Sequence, residues 1–495
     1  MKHTKRPVLP IVLLITSCLV LTGLFLFLLK KVNVLPSRYF MAACLGMIVF
    51  VLVLFLLLRR FRNCFRCILG LILSVVYCGA LVAGGFYLQR TVKTVESITA
   101  VPTIHVSSMN IFVRTDDPAQ SLKDAENYTF GILLIQDRDV TDKALDQLES
   151  DLGHGVSVMG YESPVALVNA LLNENVDAIL FNTLFFKLVE TNASIPDMSS
   201  SLRALTVLEV KTEVPVDVTP APTVEVIEPE TEDRILTVYI SGVDAVGGSI
   251  MVGGGDVNII AVVNVDTRQV LLVTTPRDYY VPFASYGMPD KLTHAGYYGI
   301  EESMATLGNL YGINLDTYFR VDFGGFEDIV DAVGGVDVDC EQYFTSMNDQ
   351  GEVFEYEKGR IHLAGPAALM YVRERSAFSD GDFARGRHQM QVIKAILDKA
   401  MSTELLTHFS DLMASIEGNF VTNMPYEIMT SVVQDQLDNG GSWNIVQYSV
   451  TGYVDWKYSF SYGDDLSVVT PDYASVDVAI DLIRQVFEGE VVRLP

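Results

Sequence analysis

Three apolar runs follow one another at the start of the chain, and they constrain its architecture more than any other feature. They cover residues 8–29, 39–58 and 68–88, and none contains a charged residue. An α-helix needs about 20 apolar residues to cross the hydrocarbon core of a bilayer. A cleaved signal peptide has a shorter apolar run and is not followed by two more. We therefore predict a multi-pass cell-membrane anchor in residues 1–90, without an ion or substrate pathway through it.

Basic residues indicate which side of the membrane each loop occupies. They precede the first run and fill the second loop, at Lys2, Lys5, Arg6, Arg59, Arg60, Arg62 and Arg66. Cytoplasmic loops carry such an excess of Lys and Arg. Lys30, Lys31 and Arg38 in the first loop reduce the contrast. With a cytoplasmic N-terminus and three spans, the chain after Arg90 is expected outside the cell.

The chain beyond residue 89 is strongly acidic. It contains 25 basic and 61 acidic residues, whereas residues 1–89 contain ten basic residues and no acidic residue. Nucleic-acid binding requires a basic surface, so we predict no nucleic-acid partner. An anionic ligand must instead be held by a local arginine cluster or through a metal ion. Beyond residue 89 the sequence has a single cysteine, Cys340, which excludes an internal disulfide framework there.

Residues 91–210 show strand and helix patterns in alternation, which predicts a small accessory α/β domain. The predicted strands are Phe130–Ile135, Val156–Tyr161 and Val176–Phe181, and the predicted helices are Thr141–Leu152, Pro164–Leu172 and Leu184–Val189. The pattern contains no catalytic constellation, so we expect a structural or partner-binding role. Residues 211–234 are rich in Pro, Val, Thr and Glu, which predicts an extended linker.

Residues 235–495 are predicted to form a second α/β domain, with its core in residues 235–400. Its first strands are predicted at Ile235–Ile240, Val257–Val265, Val270–Thr274 and Val336–Cys340. Helices are predicted at Ile300–Leu310, Phe326–Val333, Pro366–Val372 and from Asp382 onward. The remainder is predicted to add helices at Glu404–Ile416, Tyr426–Leu437 and Val476–Phe487, and a strand at Asn444–Thr451.

Two aspartates flank the glycine-rich loop between the first two strands of this domain. Asp244 follows the first strand, and Asp256 precedes the second. Two carboxylates placed close together repel each other unless a cation lies between them. Magnesium prefers oxygen ligands and usually completes its shell with water and phosphate oxygens. The pair therefore predicts a magnesium site, and the alternative is that each carboxylate caps a turn.

Positive charge follows at two places. Arg277 follows a predicted strand and Pro276, beside Asp278, and Lys291 lies a short segment later. Four more arginines lie within fifteen residues of each other, at Arg373, Arg375, Arg385 and Arg387. Because Arg385 and Gln389 are four residues apart, they share one face of the predicted helix. Guanidinium groups match phosphate oxygens bidentately. The alternative is ordinary ion pairing with Glu374, Asp380 and Asp382.

These residues carry a family resemblance. Five ordered motifs resemble those of the LytR–CpsA–Psr family: Ser241–Asp244, Thr275–Asp278, Asp290–Ala295, Val372–Arg375, and Gly381–Asp382 with Arg385–Arg387. The three spans, the accessory domain and the linker are similar to the streptococcal capsule branch of that family. The resemblance implies an α-β-α domain with a central mixed sheet flanked by helices.

The resemblance also implies a phosphotransferase on the outer surface of Gram-positive bacteria. Such enzymes take a glycan from an undecaprenyl-pyrophosphate carrier and join it to peptidoglycan through a phosphodiester, usually at the C6 hydroxyl of N-acetylmuramic acid. The partners implied are the cell membrane, the lipid-linked glycan, peptidoglycan and capsule-synthesis proteins. The polyprenyl tail is expected in an apolar groove between the sheet and its helices.

Residue roles follow from the same resemblance. Asp244 and Asp256 are expected to hold Mg²⁺. The pyrophosphate is expected to contact Arg277, Lys291, Arg373, Arg375, Arg385, Arg387 and Gln389. Arg277, Asp278 and Asp382 are expected to take part in catalysis. Asp278 and Asp382 remain alternatives for the general base, and activation of the acceptor hydroxyl by the metal is a third alternative.

One departure from the family pattern precedes the second metal carboxylate. The family usually has Arg-Ser there, and this chain has Gly254-Gly255. Three explanations stay open: weaker binding of the pyrophosphate, another substrate, and compensation by Arg387 or Lys291. Two further hypotheses stay open beside the transferase: a lipid-pyrophosphate hydrolase that uses water as acceptor, and a non-catalytic membrane regulator of capsule synthesis.

Overall fold

A computed structural model of the protein describes residues 8–33, 35–59, 64–98, 104–135, 137–190, 195, 198–213, 234–243, 250, 253–400 and 420–495. Helices α1 (Val8–Val32), α2 (Ser37–Arg59) and α3 (Cys64–Ile98) occupy the segment predicted as the anchor. Each contains a segment long and apolar enough to cross a membrane. The third helix continues past residue 90, where we placed the end of the anchor. Helix α1 packs against α3, and the Thr22 and Tyr77 hydroxyls lie 2.8 Å apart between them.

The accessory domain is a five-stranded α/β unit. Its elements are β1 (Ile104–Arg114), β2 (Thr129–Leu133), α4 (Arg138–Leu152), β3 (Ser157–Tyr161), α5 (Pro164–Leu172), β4 (Ala178–Asn182), α6 (Phe186–Glu190), α7 (Met198–Ser201) and β5 (Leu202–Glu213). The strand order is β3-β2-β4-β1-β5. Strands β2, β3 and β4 run parallel, and β1 is antiparallel to its neighbours. The sequence patterns predicted β2, β3 and β4 but missed β1 and β5.

Strand β5 extends to Glu213, three residues into the segment that we predicted as linker. Hydrogen bonding to β1 in register explains this extension, because Val106 and Ile104 pair with Lys211 and Glu213. The rest of the predicted linker, residues 214–233, lies outside the described residues.

The C-terminal domain contains most of the remaining elements. Its first half contains β6 (Ile235–Val243), β7 (Gly255–Asn264), β8 (Gln269–Thr274), β9 (Tyr280–Pro282), β10 (Pro289–Lys291), α8 (Leu292–Ala295), α9 (Ile300–Tyr311), β11 (Thr317–Asp322), α10 (Phe323–Ala332), β12 (Val336–Cys340), β13 (Phe344–Met347), β14 (Val353–Tyr356) and β15 (Gly359–Leu363). Its second half contains α11 (Gly365–Arg373), α12 (Asp382–Ala400), β16 (Phe420–Thr422), α13 (Tyr426–Asn439), β17 (Asn444–Ser449), β18 (Gly452–Ser459), β19 (Asp464–Pro471) and α14 (Tyr473–Phe487). The helix predicted at Glu404–Ile416 lies outside the described residues.

A six-stranded mixed sheet lies at the centre of this domain, in the order β16-β11-β6-β7-β8-β17. Strand β6 pairs parallel to β11 and antiparallel to β7, and β8 pairs parallel to β17. Helices cover both of its faces. The predicted fold class is therefore confirmed.

The two faces of the sheet differ in what covers them. Side chains alternate between faces along a strand, so Tyr239 of β6 and Leu271 of β8 lie in a core with residues of α9 and α14. That core holds many fully buried apolar side chains, each stabilising the fold by roughly 1.5–3 kcal/mol. Val238 and Val270 lie on the opposite face, toward α12 and α13. A cavity remains on that opposite face.

Candidate active site

The cavity on the second face of the sheet has a volume of about 540 Å³. Most of its lining is apolar, with Val238 and Ala261 from the sheet, Ile396 from α12 and Met429 from α13. One end is strongly polar, and is lined by Asp256, Arg277, Arg373, Arg375, Arg385 and Gln389. A single cavity thus joins a charged end to a long apolar body.

A β-bulge orients Asp256 toward the polar end. Gly242 pairs with Val257, and Val243 pairs with Gly255, so Asp256 is the extra residue between two paired positions. Bulges commonly redirect a side chain beside a functional site. The Asp256 carboxylate accepts a hydrogen bond of 2.5 Å from Nη1 of Arg277.

Arg277 follows β8 and lies between two carboxylates. Its Nε is 3.8 Å from Oδ1 of Asp278, and that same Oδ1 is 3.2 Å from Nζ of Lys291. Burial lowers the pKa of Arg277, but the carboxylates of Asp256 and Asp278 outweigh burial and raise that pKa overall. Arg277 lines the cavity, whereas Lys291 and Asp278 are not among the lining residues. The Lys291 ammonium group therefore contacts Asp278 and does not line the cavity, and its predicted contact with the pyrophosphate stays a prediction.

Helix α12 places a second guanidinium group, that of Arg385, at the polar end of the cavity. Arg385 is only 6% exposed, and its Nη2 lies 2.7 Å from Oδ1 of Asp382, one turn earlier. Nη1 of Arg375 lies 3.5 Å from the same Asp382 oxygen. Burial lowers the pKa of Arg385, and the neighbouring charges of Arg277 and Arg375 lower it further. Nε of Arg385 has no hydrogen-bond partner among the described residues, so the group retains a donor for an anion.

A second, small cavity lies between the Arg277 segment and α12. It is lined by Asp382 as well as by Asp256, Arg277, Arg385 and Gln389. Gln389 follows Arg385 by one helical turn, as the four-residue spacing predicted. The Asp382 carboxylate contacts two arginines, Arg375 and Arg385, from the first turn of α12.

Arg387, which we also predicted to contact the pyrophosphate, does not line the cavity with this cluster. Its guanidinium pairs with Glu341, at 3.0 and 3.2 Å, and with Asp380. Successive residues of an α-helix are about 100° apart, so Arg387 is rotated by about 200° from Arg385. Neither Arg387 nor Lys291 lines the cavity, so neither is placed to compensate for Gly254.

The glycines before Asp256 are closely packed. A Cβ atom at Gly254 would lie 3.0 Å from Oγ1 of Thr293 and 3.3 Å from the hydroxyl of Tyr297. Any larger residue at this position requires these neighbours to shift. Gly254 thus lies directly against the segment that follows Lys291.

Of the two aspartates that we predicted to hold the metal ion, the structure describes only Asp256. Asp256 lines the cavity, and Asp244 lies outside the described residues, directly after Val243. Within the described ranges, no group of three or more His, Cys, Asp or Glu residues is placed to hold a metal ion. Asp322, which we did not predict, pairs in register with Val243, lines the cavity, and accepts a hydrogen bond of 2.8 Å from the amide of Gly325.

Two further residues near the site were missed by sequence reasoning. Arg320 of β11 is completely buried, and its Nη2 donates to the carbonyl of Gly253 at 3.0 Å. Burial lowers the pKa of Arg320 to about 10. Phe323 supports the guanidinium of Arg373, which lies 4.5 Å from the centre of its ring. A lone arginine inside the apolar strand Thr317–Asp322 was the available signal for a buried structural cation.

The fold defines an α/β protein joined to three apolar helices, and its cavity has an arginine-rich end and an apolar body. The chain belongs to the LytR_cpsA_psr family, whose family model matches residues 205–470, more than half of the chain.

Relatives of known designation were also found. The chain is 34% identical over 187 residues to the polyisoprenyl-teichoic acid–peptidoglycan teichoic acid transferase TagU of a Bacillus cereus strain, covering 38% of this chain and 60% of the relative. The Enterococcus faecalis TagU is 28% identical over 231 residues, covering 46% and 75%. The crystal structure of B. subtilis TagV aligns with a TM-score of 0.45 and 25% identity, covering 53% of this chain and 100% of that chain.

Proposed function

We propose that this protein is a membrane-anchored phosphotransferase that acts outside the cell in cell-wall biogenesis. It moves a glycan, a capsular polysaccharide or similar polymer, from a polyprenyl-pyrophosphate carrier to peptidoglycan. The observation that carries the proposal is the single cavity with an arginine-rich end and an apolar body. A polyprenyl pyrophosphate has the same division between a doubly phosphorylated head and a long hydrocarbon chain. The designation of the TagU relatives as polyisoprenyl-linked teichoic acid transferases supports the same class of reaction.

The arginines supply charge neutralisation and positioning, which are the main requirements of phosphoryl transfer. Arg277, Arg375 and Arg385 are oriented by carboxylates, so their guanidinium groups are preorganised for the pyrophosphate. An acceptor hydroxyl of peptidoglycan forms a new bond to the phosphorus next to the glycan. The bond to the bridging oxygen breaks, and polyprenyl phosphate leaves. Of the two candidate bases, Asp382 lines the small cavity and Asp278 does not, so we assign the hydroxyl proton to Asp382.

Magnesium belongs to this proposal as a bound cofactor. The donor set fits, because Asp256 offers a carboxylate at the polar end, and Asp244 follows the strand that pairs with it. Magnesium commonly takes one or two protein carboxylates and leaves its other positions to water and phosphate oxygens. When bound there, it would offset negative charge on the pyrophosphate.

The proposal is tested with full-length protein in detergent, a lipid-pyrophosphate-linked sugar and peptidoglycan fragments, with and without Mg²⁺. Asp256→Asn keeps an oxygen that can accept from Arg277 but removes the charge, and it is expected to lower turnover at least tenfold. Asp266→Asn, in the exposed pair with Arg234, is the control. Phosphodiester-linked product from the wild type supports the transferase, free lipid phosphate alone indicates a hydrolase, and lipid binding without turnover indicates the regulator.

A further inference from the structure

The loop between the first two membrane helices lies against the catalytic domain. The hydroxyl of Tyr426 donates to the carbonyl of Val32, and Nε2 of Gln434 donates to the carbonyl of Asn33 at 2.5 Å. Val32 is only 4% exposed, and Pro36 is also buried, although the membrane helices otherwise expose most of their surface. The loop is therefore docked on helix α13, about 400 residues later in the sequence.

Arg38 of α2 contacts the C-terminal end of helix α13. Its Nη2 donates to the carbonyls of Leu437 and Asp438, at 2.8 and 2.9 Å, and its Nε lies 2.8 Å from the carboxylate of Asp438. These carbonyls belong to the last turn of α13, where a cation is favoured by unpaired carbonyls and by the helix dipole. A basic residue in the first turn of α2, at the end of that helix expected outside the cell, thus has a partner on the catalytic domain.

The same helix also bounds the cavity. Met429 and Val432 of α13 line its apolar body, together with Phe420 and Met424 from the segment just before α13. Helix α13 therefore has cavity-lining residues and residues that contact the membrane loop within one element of 14 residues. The apolar part of the cavity therefore lies close to the loop that joins α1 and α2.

We propose that residues 32–38 clamp helix α13 to the outer surface of the bilayer, so that the polyprenyl chain enters the cavity directly from the outer leaflet. Moving an apolar chain through water is unfavourable in proportion to the area exposed. A cavity held at the bilayer surface avoids that exposure. This inference rests on the proposed function, because it concerns how the lipid substrate of that site is delivered.

The docking itself is tested without any substrate. Asn33→Cys with Gln434→Cys places two thiols across the contact in the full-length protein in membranes. Oxidation is expected to cross-link them, and Asn33→Cys paired with Asp481→Cys, on helix α14, is the control. Absence of a specific cross-link overturns the clamp, whatever the activity of the protein.

Delivery is tested by comparing two substrates of the full-length protein. Arg38→Asp is expected to lower transfer from a long-chain lipid in liposomes at least tenfold, and to leave transfer from a short-chain, water-soluble analogue within twofold. Asp438→Arg alone should behave in the same way, and the double exchange should restore most long-chain activity. Lys30→Asp changes an exposed charge at the end of α1 and serves as the control.

The outcomes distinguish failure of direct lipid delivery from failure of the proposed transferase function. Equal loss with both substrates, or no loss with either, overturns direct delivery while leaving the transferase intact. No transfer by the wild type from either substrate overturns the proposed function, and direct delivery with it.

Discussion

Replacing Arg385 by Lys tests the arginine cluster at its most buried member. Lys keeps the positive charge and can still pair with Asp382, but it loses the planar fork that reaches two phosphate oxygens. A hydrogen bond to a charged group contributes about 1.5–3 kcal/mol. Loss of one such contact corresponds to roughly a 10- to 150-fold lower kcat/KM for the lipid-linked substrate.

Arg387→Lys is the matched control for this change. Arg387 is on the same helix, but its guanidinium contacts Glu341 and Asp380 instead of the cavity. Its pairs are partly exposed, so the exchange is expected to leave kcat/KM within twofold. The assay is the initial rate of phosphodiester formation, with thermal unfolding measured for both variants. Equal effects of the two exchanges, or an unaffected Arg385→Lys, would refute the placement of the pyrophosphate.

Three further predictions concern the cavity, a titrating group and the backbone. Ala261→Phe fills part of the apolar cavity, so it should reduce transfer from a long polyprenyl chain more than from a short one, as measured by competing the two substrates. Burial raises the pKa of Asp137 to about 6, so its ionisation lowers stability progressively as the pH rises from the unfolded-state pKa of about 4 to about 6. Asp137→Asn should therefore raise the stability of the detergent-solubilised protein by roughly 1–3 kcal/mol at pH 8 and hardly at all near pH 3. Gly335 has a φ of +73°, and a Cβ atom there would lie 2.9 Å from a backbone oxygen, so Gly335→Ala should lower the stability of the protein by about 1–3 kcal/mol. Gly351 has a φ of +82° but open space around it, so Gly351→Ala should lower stability less in the same denaturation experiment.

Local patterns predicted much of the fold. Strand Val336–Cys340 has the predicted bounds, because alternation and a preceding Gly-Gly break are both local signals. Strand β11 was missed, because Arg320 interrupts its apolar pattern. That arginine is tolerated inside the domain because the Gly253 carbonyl accepts one of its hydrogen bonds, a contact 67 residues distant in sequence.

The candidate site was predictable to the extent that helical spacing determines it. Arg385 and Gln389 share a face because they are four residues apart. The Arg387 side chain turns toward Glu341, which lies 46 residues earlier in the sequence. No local sequence pattern reveals such a distant partner. The apolar strand β6 was predicted as buried, but an apolar sequence does not distinguish a packed face from a cavity wall. Leu236, Val238 and Ile240 line the cavity, while Tyr239 faces the core.

The central claim is that one cavity holds both the pyrophosphate and its polyprenyl chain. A polyprenyl pyrophosphate with a photoreactive group at the end of its chain tests this claim most directly. After irradiation, mass spectrometry of the digested full-length protein should place the label within residues 420–432, which contribute to the apolar body. Unlabelled lipid pyrophosphate and Arg385→Ala should both reduce the labelling. Labelling only elsewhere in the chain, or labelling that neither reduces, would contradict the account.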